Sequence, residues 1–132
     1  MKTGYVPIPD EVEQVGREVV DASIAVHREL GPGLLESVYV TCLARELTSR
    51  GIQYEAEKTV PIVYAGERVD TGLRLDLLVA GVVVVEVKAV EKLLPLHEAQ
   101  LLTYLKVTGL RLGLLINFNV ALLKQGVKRM VL

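Results

Sequence analysis

The sequence predicts one α/β domain of the α+β kind, a mixed β-sheet with helices packed on it, spanning residues 1–132. Three observations predict it. The length suits a single enclosed core and gives no reason to divide the chain. Hydrophobic residues make up 51% of the chain, the load of a packed globule and not of a disordered segment. Apolar positions switch between helical and strand spacing in the order α-α-β-β-β-α-β, followed by a tail.

Each element has its own signal. After a Pro-containing lead, "VPIP", Val12, Val15, Val19, Ala22, Val26 and Leu30 step by three or four, an amphipathic helix that "GPG" at 31–33 stops. A second helix runs from about Leu34 to Ser49 and closes at Gly51. "KTVPIVYAGERV" places β-branched residues around an Ala65-Gly66 turn, and "TGLRLDLLVAGVVVVEVKAV" continues in the same mode, giving two or three strands joined by tight turns. "LPLHEAQLLTYLKVTG" returns to helical spacing and stops at Gly109. "RLGLLINF" reads as a buried strand, and "NVALLKQGVKRMVL" as a helical turn and a last short strand. No repeat or low-complexity segment suggests a second domain.

Composition narrows the function classes. No apolar run reaches the roughly 18 to 20 residues that cross a bilayer, and the first residues lack the apolar run of a signal peptide. A cytoplasmic protein with no membrane association is the expectation. One cysteine, Cys42, excludes an internal disulfide framework and a zinc site of several thiolates. The apolar load leaves room for a homodimer interface. A net charge of −1 argues against bulk electrostatic coating of nucleic acid. The charge is uneven, however: residues 1–87 hold 8 Lys/Arg against 14 Asp/Glu, and residues 88–132 hold 7 against 2.

The chemistry is expected where charge interrupts the most apolar strand. In "GVVVVEVKAV", Glu86 and Lys88 lie two apart and so share a face, and Asp76 stands on the preceding strand. A buried charge is costly unless it is paired, hydrogen-bonded or bound to a metal. Two carboxylates make a site for a hard cation such as Mg2+, with Mn2+ as a substitute, and such an ion polarises phosphoryl oxygens and acidifies bound water. Lys88 beside it would orient that water or neutralise charge on phosphorus. Crowding of the carboxylates predicts a raised pKa for one of them. A two-residue Ala80-Gly81 loop pairing Val79 with Val82 would set Asp76 opposite Val85, so the site requires a three-residue loop or a bulge. By itself the D-x9-E-x-K pattern also describes an edge strand with an ordinary salt bridge.

Two further patterns add weight. In "GLLESVY", Glu36 and Tyr39 lie one helical turn apart, and in "HEAQLLTYL", Gln100 and Tyr104 are spaced i, i+4. His27 reads as a structural helix-end residue. His97, just before Gln100 at the start of a helix, is open between helix-entry hydrogen bonding and approach to the site, and neither histidine is expected to bind metal. Asn117 and Asn119 read as strand-end and turn residues.

With these pieces in order, "HRELGPGLLESVY", "LRLDLLV", "VVVVEVKAVEKL", "LHEAQLLTYLK" and "GLLINFNV" resemble the GxxExxY family, which is assigned to the PD-(D/E)xK nuclease superfamily. The resemblance runs from about residue 10 to the C-terminus. It implies a restriction-endonuclease-like core, a mixed four-stranded sheet flanked by helices. It implies that Asp76 and Glu86 are the metal-binding acidic pair and Lys88 the catalytic lysine. Glu36 matches a helix-borne acid that some members add to the metal shell. Gln100 and Tyr104 match the Q-x-x-x-Y motif of the RecB-like branch. The superfamily's usual Pro before the Asp is replaced by Leu75. The function so implied is Mg2+-dependent phosphodiester hydrolysis, with nucleic acid, first of all DNA, as partner. The alternative is a nuclease-fold binding module without turnover.

Overall fold

The computed structural model describes residues 6–132. Helices α1 (Asp10–Leu30) and α2 (Glu36–Ser49) come first, then strands β1 (Tyr54–Tyr64), β2 (Glu67–Val79) and β3 (Val83–Lys88). Helix α3 (Pro95–Thr108), strand β4 (Leu112–Asn117), a 3-10 turn (Leu123–Gly126) and strand β5 (Val127–Val131) complete the order. No helix among the described residues is long and apolar enough to cross a membrane.

The expected mixed sheet flanked by helices is present, and it has five strands in the order β1-β2-β3-β4-β5. Four are the expected core, and the strand in the C-terminal tail adds the fifth, antiparallel to β4. β1, β2 and β3 pair antiparallel, whereas β3 and β4 pair parallel. A parallel pair needs a long crossover, and α3 supplies it.

The sheet separates two cores. On one face α1 (Val19, Ala22, Val26) and α2 (Tyr39, Leu43, Leu47) cover Val83, Val85 and Val87 of β3 and Leu112, Leu114 and Ile116 of β4. On the other, Leu101 and Leu105 of α3 meet Leu75, Val84 and Leu115. β3 and β4 are buried along both faces, which is why they read as continuous Val/Leu runs without alternation. Gly113 lets α3 approach: a Cβ there would lie 2.8 Å from Leu101 Cδ1.

Candidate active site

The turn between β2 and β3 sets the site. Val79 pairs with Val83, Leu78 with Val84 and Leu77 with Val85. The loop therefore holds three residues, Ala80, Gly81 and Val82, and the same register carried one step further puts Asp76 opposite Glu86. Ala80 and Gly81 both take left-handed backbone angles, φ 52° and 70°, with the Val82 N–H closing onto Val79 O at 3.0 Å. The extra loop residue supplies the parity that brings the two acids together.

Beyond Leu77–Val85 the backbone ladder stops and side chains take its place. The Asp76 N–H donates to Glu86 Oε2 at 2.9 Å, and the Val87 N–H donates to Asp76 Oδ2 at 2.8 Å. The two carboxylates thus fill a fork where β2 leaves β3. The fork also breaks the alternation of β2: Leu75 packs on the α3 side while Leu77 packs on the opposite face. In a regular strand these two positions would share a face. Directly across, Glu57 of β1 takes φ 53° and drops out of the pairing between Ala56–Leu77 and Lys58–Leu75. Such backbone for a side chain-bearing residue costs free energy, and its place beside paired acids is where functional sites concentrate it.

Electrostatics follow from burial. Glu86 is only 7% exposed, and burial first, then the Asp76 charge, pushes its pKa from 4.5 to about 8. The Asp76 N–H and the Lys88 charge oppose that rise. Asp76, half-buried, is likewise raised by burial, against the Val87 N–H and Lys88, while Glu36 adds to the rise. The Tyr104 hydroxyl is held above its ordinary value by burial and by the Glu86 and Asp76 charges.

These mutual effects locate the remaining candidates. Lys88 lies two residues beyond Glu86 on the same strand and within electrostatic reach of both acids. Among the described residues it forms no ion pair closer than 4.0 Å. Glu36, exposed at the first turn of α2, is felt by both carboxylates. Tyr104 reaches them from α3. Gln100, one turn earlier on α3, is exposed, and among the described residues no side chain hydrogen-bonds to it.

The donor set suits a hard divalent cation. Asp76 and Glu86 each commit one oxygen to a backbone N–H, which leaves Asp76 Oδ1 and Glu86 Oε1 free. No buried side-chain polar atom among the described residues lacks a partner, so the free Glu86 oxygen opens to solvent. Oxygen donors carrying crowded negative charge are what Mg2+ or Mn2+ would relieve. Among the described residues no three His, Cys, Asp or Glu side chains are gathered closely enough to enclose an ion, so Glu36 stands apart from the pair.

Two residues prove to be supports. Glu36 and Tyr39 do not share an environment: Glu36 is exposed, while Tyr39 is fully buried and stacks on Phe118 with ring centroids 4.5 Å apart. The Tyr39 hydroxyl donates to Gly31 O at 2.6 Å and accepts the Leu34 N–H at 3.1 Å, pinning the loop that delivers Glu36. Asn117, paired with Lys88 in the β3–β4 register, accepts the Val90 N–H at 3.0 Å and donates to Val90 O at 2.8 Å. It holds the chain just after Lys88. The signal for Asn117 was available in "LLINF", since a polar residue inside a buried strand must find partners. The histidines serve structure: His27 Nε2 meets Val120 O at 2.8 Å, and His97 Nδ1 accepts the Leu94 N–H at the start of α3.

A sequence model of the PD-(D/E)XK nuclease superfamily matches residues 13–130. No curated protein and no solved structure matches the chain.

Proposed function

The chain belongs to the PD-(D/E)XK nuclease superfamily, and on that premise we propose that it is a divalent-metal-dependent nuclease that hydrolyses phosphodiester bonds, with DNA as the first substrate to test. The observation that carries the reading is the fork: Asp76 and Glu86 opposite each other, each held by the other strand's backbone, with Lys88 two residues on. A family resemblance alone would not suffice, because function resides in the site.

In this reading Asp76 and Glu86 would hold the ion through the carboxylate oxygens not engaged by backbone N–H groups. Bound Mg2+ or Mn2+ would supply Lewis-acid polarisation of the phosphoryl oxygen and a more acidic water. The Lys88 ammonium orients the attacking water and offsets negative charge as it grows on the phosphoryl oxygens. The Asp76 and Val87 N–H groups fix the carboxylates, so little reorganisation remains at the moment of reaction. Glu36 adds negative charge at the rim of the site, where both carboxylates feel it. Tyr104 and Gln100, on one face of α3, contact the substrate strand. The G-x-x-E-x-x-Y run from Gly33 to Tyr39 supports a place in the GxxExxY family, and Gln100 with Tyr104 supports the RecB-like branch.

A second reading, a nuclease-fold binding module, is favoured by one observation: no third acidic group stands close enough to the pair to enclose an ion. The experiment that separates the two is incubation of the purified protein with single- and double-stranded DNA and RNA, in Mg2+, in Mn2+ and in EDTA. Cleavage in either metal and none in EDTA supports the nuclease. Binding without cleavage in every metal supports the module.

A further inference from the structure

A groove of about 380 Å3 lies between the end of α1 and the segment after β4, lined by His27, Arg28, Gly31, Pro32, Leu122 and Lys124 among others. Its lining holds two exposed cations and no carboxylate. By comparison, the groove between α1 and β5 balances Arg17 and Arg129 against Glu13 and Asp21. Among the described residues neither Arg28 nor Lys124 is engaged in an ion pair. Glu29, next to Arg28 in sequence, lines a different groove with Arg45 and Glu46.

The groove is joined to the acid pair by a continuous set of contacts. Lys88 and Asn117 are register partners at the ends of parallel strands, and the Phe118 N–H donates to Lys88 O at 2.9 Å. Phe118 stacks on Tyr39, whose hydroxyl fixes Gly31 on the groove wall. The opposite wall is tied down where His27 meets Val120 O. The chain from Asn117 to Ala121 spans at most about 14 Å when extended. With the roughly 4.8 Å between paired strands added, the groove begins within about 19 Å of Lys88. At roughly 3.4 Å of axial rise per phosphate on one strand, that is within about six nucleotides.

We infer that this groove is a phosphate subsite: Arg28 and Lys124 hold the backbone of the nucleic-acid strand within about six nucleotides of the bond placed at Lys88. The inference rests on the proposed nuclease reading and adds to it the path of the substrate. Each cation that neutralises a phosphate releases condensed counterions, so the groove has a measurable signature in salt dependence.

The test is fluorescence anisotropy of a labelled oligonucleotide in EDTA, titrated with the full chain across a salt series. Arg28→Ala with Lys124→Ala is compared with a double substitution that removes the same charge elsewhere, Arg68→Ala with Lys106→Ala. All four side chains are exposed, and an unchanged melting temperature verifies the fold. The groove variant should flatten the slope of log affinity against log salt by roughly one per cation, about two in all. Arg28→Lys should retain the slope. A groove variant with the slope of the charge-matched control overturns the inference while leaving the nuclease reading in place. A wild-type chain that neither binds the oligonucleotide nor cleaves it in Mg2+ or Mn2+ overturns both.

Discussion

Replacing Glu86 by Gln tests the electrostatics of the fork without removing its geometry. The Gln carbonyl can still accept the Asp76 N–H, and the side chain keeps its volume, so only the titrating charge is lost. In the wild-type fold the Glu86 pKa rises from 4.5 to about 8, through burial first and Asp76 second. A raised carboxylate pKa means that the unfolded chain releases this proton before the folded chain does. Between pH 4.5 and about 8 the folded state therefore binds more protons, and stability falls as pH rises. Below 4.5 the contribution is fully present, and above about 8 it is lost. At about 1.4 kcal/mol per pH unit the loss reaches at most ~5 kcal/mol. Solvent access to the free oxygen lowers it to a few kcal/mol. Urea unfolding in EDTA at pH 4.5, 6, 7.5 and 9 measures it for both proteins. Wild type and Glu86→Gln should be close at pH 4.5 and diverge with rising pH, the variant becoming the more stable by about 3 kcal/mol, on the order of 10 °C in Tm. Parallel curves would refute the reasoning, because Glu86 would then not be the buried, charge-crowded group described.

Three further outcomes are expected. Mn2+ or Mg2+ at 100 times its Kd should stabilise the wild type by about 2.7 kcal/mol, and Glu86→Gln should abolish that gain in the same unfolding assay. Tyr39→Phe removes the hydroxyl that bridges Gly31 O and the Leu34 N–H, and chemical denaturation should show a loss of about 1–3 kcal/mol with the fold retained. Asn117→Ala leaves both polar groups of Val90 without their partner, so denaturation should show a similar loss, and cleavage should fall more than binding because Lys88 lies two residues before Val90 and pairs with Asn117 across the sheet.

The parts of this fold legible in the sequence are those governed by local rules. The α1 stripe, the Gly31 and Gly109 stops and the Ala65-Gly66 turn each depend on a few neighbouring residues, and each stands where the pattern put it. The parity argument at Ala80-Gly81 also worked from local geometry, since only a three-residue loop or a bulge could face Asp76 to Glu86. What escaped depends on contacts distant in sequence. Helical spacing alone set Tyr39 beside Glu36, whereas Phe118, 79 positions later, draws the tyrosine into the core and leaves Glu36 outside. The fork itself could not be read from either strand, because it exists only where the Asp76 and Glu86 side chains replace ladder bonds between them. Gln100 illustrates the same limit: i, i+4 spacing aligns it with Tyr104, but exposure is decided by what α3 packs against.

In the proposed mechanism, Lys88 is the residue on which hydrolysis, as opposed to binding, turns. The most direct measurement is the rate of DNA cleavage by Lys88→Ala and wild type in saturating Mn2+, with oligonucleotide affinity and metal-dependent stabilisation followed in parallel. In that mechanism the ammonium stabilises charge that grows only during reaction, so the variant should cleave at least about 100-fold more slowly. It should still be stabilised by Mn2+ through Asp76 and Glu86. A Lys88→Ala variant that cleaves at the wild-type rate would contradict the account and place the chemistry away from the fork.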